Sequence, residues 1–283
     1  MRSACFLKKI NVMNEKRGIH LPDERKRLDD LTFIFVVRID SLWRLRNLRS
    51  VLTFLSDNFD SNFLIIEADS TSRIPEGSLP QRNLKFIFEK DENPILHRTM
   101  YINRLFRMAE TRFAAVWDVD VLCVPENISA SLELLSSSNT IMTYPYDGKF
   151  WHVNPFFSSV FHRSGDLSVI TEKPQPRILM NGYHSVGGAF FVNIEKYRDA
   201  GWENEYFIGW GPEDMERFKR LEILGEKPLR VKGDLYHLFH TRGENSGEFN
   251  ADLMISTKRE YCKVCGMNTT ELRNYINGWE WIR

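Results

Sequence analysis

Residues 31–37, LTFIFVV, form a nearly unbroken apolar run between charged neighbours. A strand with one wet face alternates apolar and polar residues, whereas a strand covered on both faces has no need to. The run therefore predicts a strand at the centre of a sheet with helices on both sides. The next segments repeat the theme. Residues 40–56 place leucines at 42, 45, 48, 52 and 55, which is helical spacing. NFLIIEA (62–68) and LKFIFE (84–89) read as further strands, a helix is expected from about Arg98 to Thr111, and FAAVWD (113–118) as another strand. Strands and helices joined by short connections predict an α/β domain, with ligands gathering at the carboxyl ends of the strands.

From Pro145 to Gly188 the pattern breaks into a long aromatic stretch rich in Pro and Gly, expected to be a functional loop or lid. GGAFFVN (187–193) restores a strand, and the tail from about Asp252 to Asn277 reads as helical. Residues 13–30 are densely charged and are expected to form a solvated, partly mobile arm. The expected division is a charged arm (1–30), one α/β domain (31–250) and a helical C-terminal appendage (251–283).

The 38 basic and 38 acidic side chains cancel, so no whole-protein field points to nucleic acid or an anionic membrane. Seven Trp and twenty Phe supply a core and also flat platforms on which sugar rings stack. Cys5, Cys123, Cys262 and Cys265 make no disulfide framework in a chain of this length, and the single Cys262/Cys265 pair reads as structural. The N-terminal stretch carries no apolar run long enough for a signal peptide or a span, which favours a cytoplasmic location. At the other end, YINGWEWIR gathers Trp279, Trp281 and Arg283. Such an end can rest at a membrane interface, but Glu280 interrupts it and core packing is favoured.

Four stretches carry chemistry. WDVDVL sets Asp118 and Asp120 two apart at a strand end, where both carboxylates should face one spot. Like charges there repel unless a cation intervenes, and hard oxygen ligands suit Mg²⁺ or Mn²⁺. YHLFHTRGEN brings His237 and His240 near each other after a strand. Residues three apart on a regular strand face opposite sides, so both ligate only if the chain turns between them. NPILHRTMYIN offers Arg98 near a helix start, facing a phosphate, and Arg38 after the first strand is a similar cation. FIGWGPEDMERFKR packs two glycines, Trp210, Pro212 and three acidic residues into a turn and a helix start. Capping explains the acidic residues but not the tryptophan. No P-loop and no Gly-x-Gly-x-x-Gly motif is present.

In this order, Arg38, Arg98 with Asn103, Asp118-Val-Asp120, Gly187-Gly188, Trp210-Gly-Pro-Glu-Asp214 and His237/His240 resemble the GT-A glycosyltransferases, in particular the beta-1,4-galactosyltransferase and polypeptide N-acetylgalactosaminyltransferase group. The resemblance runs from about residue 31 to 245. It implies a central mixed sheet flanked by helices and a metal-dependent, inverting transfer from a UDP-sugar to a glycan or lipid-linked glycan.

The resemblance also implies roles. Arg38, Asp69, Arg98, Asn103, Asp118, Ser185, Gly187 and Gly188 would hold the donor, and Asp120, His237 and His240 the Mn²⁺ or Mg²⁺. Trp210, Gly211 and Glu213 would meet the acceptor, and Asp214 would take its proton. His237 stands where the galactosyltransferase has a Met ligand, and Pro212 replaces a glycine of the usual motif. Ser185 stands where that enzyme has a bulky aromatic, which leaves room for an N-acetyl group. The mammalian relatives carry a membrane anchor, so the comparison favours a bacterial-type enzyme building a surface glycan, at most peripheral to the inner membrane face. A nucleotide-sugar phosphodiesterase or nucleotidyltransferase, or a non-catalytic glycan-binding protein, are the competing expectations.

Overall fold

The structure, a computed structural model, describes residues 25–80, 82–172, 178–180, 182–243 and 250–282. Cys5 and the expected arm up to residue 24 lie outside the described residues.

Strand β1 (Lys26–Val37) contains the opening apolar run but starts before it. Lys26 and Arg27 pair with Phe59 and Asp60, Leu28 is buried, and the register shifts before Thr32. Lys26–Asp30, expected in the arm, are therefore sheet. Helix α1 (Leu42–Asn58) starts on Ser41, whose side-chain oxygen accepts the Arg44 N–H at 3.2 Å. Strands β2 (Phe59–Asp69) and β3 (Leu84–Lys90), helix α2 (Arg98–Met108) and strand β4 (Phe113–Trp117) come next, close to the expected bounds.

Beyond β4 come β5 (Val121–Leu122), α3 (Pro125–Ser137) and β6 (Met142–Tyr144). The stretch expected as one long loop carries β7 (Lys149–His152), α4 (Pro155–Ser164), a short α5 (Ser168–Thr171) and β8 (Ile178–Leu179). Helix α4 has ordinary punctuation. Asn154 caps it by accepting the Phe157 N–H at 3.0 Å, Pro155 fills its first position, and Gly165 ends it in the left-handed region at φ 67°.

The chain continues through β9 (Ala189–Asn193), α6 (Ile194–Asp199), α7 (Glu213–Ile223), β10 (Leu229–Arg230) and β11 (Asp234–His237). The helical tail is two helices, α8 (Ala251–Cys265) and α9 (Thr269–Asn277), parted where Asn268 and Glu271 form a reciprocal cap.

Seven strands form a mixed sheet in the order β10-β6-β9-β4-β1-β2-β3, with β9 antiparallel to β4 and β6. A smaller sheet, β5-β11-β7-β8, lies beyond the end of β4. Phe33 of β1 stacks on Phe63 at 5.3 Å and meets Trp117 edge-on at 5.7 Å. Each such buried ring contributes about 1.5–3 kcal/mol, so the aromatic content is spent first on the central strands.

Helices α8 and α9 pack against α7. Trp279 is buried with the Arg220 guanidinium 5.6 Å from its ring, and Trp281 stacks on it at 4.8 Å. Trp279 is therefore core packing with Trp281 half-buried against it, Arg283 lies outside the described residues, and no described helix is long and apolar enough to cross a membrane. Cys262 and Cys265 are free thiols on α8.

Candidate active site

β4 ends at Trp117, and the chain turns before entering β5. The turn is tied down at three points. Asp118 N–H donates to Gly188 O (2.8 Å), Val121 N–H to Asp118 O (3.3 Å), and Trp117 Nε1–H to Val121 O (3.0 Å). Asp118 and Asp120 thus sit on a turn, not on one face of a strand, and their carboxylates part. Asp118 accepts from Arg98 Nη2 at 2.5 Å, and burial pushes its carboxyl above the usual range even beside that cation.

Asp120 turns the other way, toward the small sheet. Antiparallel pairing of β5 with β11 sets His237 opposite Val121, and Leu238 N–H donates to Asp120 O at 2.7 Å. The strand ends at His237, so the chain is free to turn and bring His240 to the same place. His240 Nε2 lies 3.2 Å and His237 Nε2 3.7 Å from the Asp120 carboxylate. His240 Nδ1 sits 2.8 Å from the Thr241 carbonyl and 3.3 Å from Arg44 Nη2, and the tautomer that donates to the carbonyl is the one whose Nε2 lone pair is open to a metal.

Burial pushes the His237 imidazole down to about 4, so it is neutral. Burial opposes ionisation of Asp120, but His237, Arg44 and His240 hold its carboxyl below the usual range. Arg44, in the first turn of α1, belongs to none of the sequence motifs. It donates to Asp120 Oδ2 at 3.3 Å and is steadied by Asp40, four residues earlier, at 3.0 Å. Its only sequence signal is that i,i+4 pair.

These groups line a cavity of about 780 Å³. The start of α7 also lines it. Trp210 stands at the mouth, 43% exposed. Gly211 packs so close to α8 that a Cβ there would lie 2.9 Å from the Thr257 hydroxyl. Glu213 Oε2 is buried with no hydrogen-bond partner among the described residues, and burial with the neighbouring Asp214 pushes its carboxyl up to about 8. Asp214 Oδ2 lies against Gly187, where an added Cβ would be 2.2 Å away, which explains the glycine better than any backbone need. Gly188 does need its freedom: φ is 83°, and a Cβ would strike Leu235 and Phe150.

The remaining expected donor residues divide. Ser185 is a buried part of the cavity wall, its hydroxyl donating to Met180 O at 3.1 Å. Arg38 reaches the wall, but all three of its nitrogens are engaged by the protein. Nε donates to Ala68 O (2.7 Å), Nη1 to Asn93 O and Pro94 O (2.8 and 3.0 Å), and Nη2 to Asp91 (3.0 Å). It is the strut of an adjoining pocket of about 320 Å³ that Asp69 also lines. Asp69 accepts from Ser70 N–H at 2.7 Å and faces Arg73 at 3.5 Å.

Asn103 is not brought to the cavity. It is fully buried on α2, donating to Glu203 O and Glu205 Oε1 (both 2.9 Å) and accepting from Glu203 N–H (2.9 Å). Both of its amide N–H groups are taken up by the loop before α7.

No family model matches the sequence, and no curated protein matches it. Solved structures match it in shape. The catalytic domain of Drosophila beta1,4-galactosyltransferase 7, in complex with xylobiose, aligns at 17% identity over 86% of this chain and 82% of that one, with a TM-score of 0.50. GalNAc-T7 with UDP, GalNAc and Mn²⁺ aligns at 13% identity over 88% of this chain and 50% of that one, with a TM-score of 0.55. Both neighbours are GT-A glycosyltransferases, and with its mixed seven-stranded sheet the chain has the GT-A fold.

Proposed function

We propose that the protein is a divalent-metal-dependent glycosyltransferase. It moves a hexose or N-acetylhexosamine, galactose or N-acetylgalactosamine, from a UDP-sugar to a glycan hydroxyl with inversion at the anomeric carbon. One observation carries this reading: the Asp120–His237–His240 cluster and the Glu213–Asp214 helix start line a single cavity together with the partly exposed Trp210. One structure sharing the fold holds UDP, GalNAc and Mn²⁺, and another holds xylobiose, which agrees with a nucleotide-sugar donor and a sugar acceptor.

The cluster fits a metal. Its three ligand atoms lie within 4.8 Å of one another, and a carboxylate with imidazole nitrogens suits Mn²⁺ or a similar divalent cation. Held by Asp120, His237 and His240, such a cation would offset the charge of a departing diphosphate. The other steps belong to the chain. Trp210 offers a flat face to the acceptor ring, and Glu213, with its orphaned oxygen, meets one of the ring's hydroxyls. Asp214 Oδ2 takes the proton of the attacking hydroxyl as its oxygen bonds to the anomeric carbon. The bond from that carbon to the diphosphate breaks on the opposite face, and UDP leaves with the electron pair.

The test is a donor screen by UDP release with Mn²⁺ and a panel of sugar acceptors including xylobiose, with product stereochemistry read by NMR. Acceptor-dependent UDP release with an inverted linkage is the expected result. Release of sugar phosphate in place of UDP would assign phosphodiester chemistry instead.

A further inference from the structure

Asp214 is not held by its own helix start alone. Arg217, one turn further along α7, is fully buried and splits its guanidinium between two acids. Nε and Nη2 grip Glu203 at 2.8 and 2.7 Å, and Nη1 donates to Asp214 Oδ1 at 2.8 Å. Glu203 is buried too, and its Oε1 also accepts the Tyr197 hydroxyl at 2.6 Å. The guanidinium plane lies 4.0 Å from the Phe190 ring. Every degree of freedom of this cation is therefore fixed from behind, by β9 and by the segments before α7, before it reaches Asp214.

A second buried pair on the same helix gives the contrast. Arg220 bonds Glu216 at 2.9 Å, and its other nitrogens go to the carbonyls of Ala200 and Trp202. That arginine is spent wholly on the scaffold. Of the two, Arg217 is the one that sends a donor forward to a carboxylate that lines the cavity.

We infer that Arg217 is the positioning residue of the transfer reaction: with Glu203 as its anchor, it holds Asp214 Oδ1 so that Oδ2 is the oxygen presented to the acceptor over Gly187. This rests on the proposed role of Asp214. The two oxygens have different surroundings: Oδ1 is held by a rigid donor, and Oδ2 occupies the space left by the missing side chain of Gly187. A planar fork can serve both acids at once, whereas the ammonium of lysine cannot keep that geometry.

The test is a double-mutant cycle on Arg217→Lys and Asp214→Asn, chosen because lysine keeps a charge beside buried Glu203. The readouts are kcat for UDP release from UDP-galactose with Mn²⁺, to xylobiose and to water, the affinity for UDP with Mn²⁺ by calorimetry, and Tm. Arg217→Lys is expected to lower kcat about 10²-fold, the cost of a small misplacement of a reacting group, with UDP affinity unchanged. In the Asp214→Asn background the same substitution is expected to lower kcat no further, since the two act as one unit. Glu216→Gln, which breaks the scaffold pair, should lower Tm and leave kcat within about twofold.

An Arg217→Lys effect of equal size with and without Asp214 would overturn the inference and leave Asp214 as the base. So would an Arg217→Lys protein that binds UDP and turns over normally. An Asp214→Asn protein with the wild-type kcat would instead remove the catalytic role itself, and this inference with it.

Discussion

His240 directs Nε2 at the Asp120 carboxylate from 3.2 Å while its Nδ1 is anchored on the Thr241 carbonyl at 2.8 Å. His237 approaches the same carboxylate from 3.7 Å, and its buried Nδ1 has no partner among the described residues. An imidazole oriented from behind is the stronger ligand, and loss of such outer partners costs about 10–100-fold in metal affinity. Asp120→Ala is expected to abolish Mn²⁺ binding measured by calorimetry. His240→Ala should weaken it more than His237→Ala, and chelator should abolish UDP-sugar turnover. Small, equal losses at the two histidines would show that neither is a ligand.

Asp214→Asn keeps the hydrogen bond from Arg217 available to an oxygen but leaves no basic oxygen for the proton. Transfer is expected to fall by about 10²–10⁴-fold, the range of a general acid–base group, with UDP affinity retained. Glu213→Gln should act mainly on the acceptor KM. If the Glu213 variant loses kcat and the Asp214 variant does not, the roles are reversed.

Glu213 also makes a prediction about stability. A free Glu titrates near ~4.3, while burial and Asp214 push this one up to about 8. The folded chain holds that proton more tightly than the unfolded one, so the stability this group contributes is fully present below about 4.3 and is lost as pH rises through about 8. Glu213→Gln removes the titration. Its Tm relative to wild type should increase between about pH 5 and pH 8, and a difference that stays flat across that window would contradict the shift.

Gly187→Ala places a Cβ 2.2 Å from the resting position of Asp214 Oδ2. The carboxylate must move, and transfer should fall about 10²-fold while UDP affinity stays near wild type. Wild-type kcat in this variant would mean that Oδ2 has room to spare and that its position does not set the rate.

Ser185 is buried in the cavity wall with its hydroxyl turned to Met180. A small residue here leaves space beside the donor sugar, so UDP-galactose and UDP-N-acetylgalactosamine are expected to be used with kcat/KM values within about tenfold of each other. Ser185→Tyr should favour galactose, at a packing cost of about 1–3 kcal/mol. Strong rejection of the N-acetyl donor by the wild type would refute this account of the pocket.

What the sequence determined by itself is what depends on short-range periodicity and residue chemistry. The nearly unbroken apolar run of β1 and the leucine spacing of α1 each dictate which faces must be dry; α1 formed close to the expected bounds, and β1 ends where expected but begins at Lys26, ahead of the run. Motif chemistry was legible too: Asp120, His237 and His240 meet, and Trp210, Glu213 and Asp214 line the same cavity. Helix α4 was also within reach, through Asn154-Pro155 at its start and Gly165 at its end, but its aromatic, glycine-rich surroundings hid a helix of ten residues.

Tertiary structure decided where each polar side chain spends its hydrogen bonds. Strand periodicity put Asp118 and Asp120 on one face, but the turn after Trp117 separated them, one toward Arg98 and one toward the histidines. Arg38 and Asn103 have the right chemistry for a donor site, yet carbonyls and an acid from distant segments claim them first. Arg44 became a neighbour of Asp120 only through long-range packing, whereas Arg217 meets Asp214 within one helical turn and is locked there by Glu203 from the loop before α7. The physical reason is that a guanidinium or amide binds whichever partner the fold delivers within about 3 Å. Sheet register and the docking of α7 settle that partner, and neither leaves a local signature in the chain.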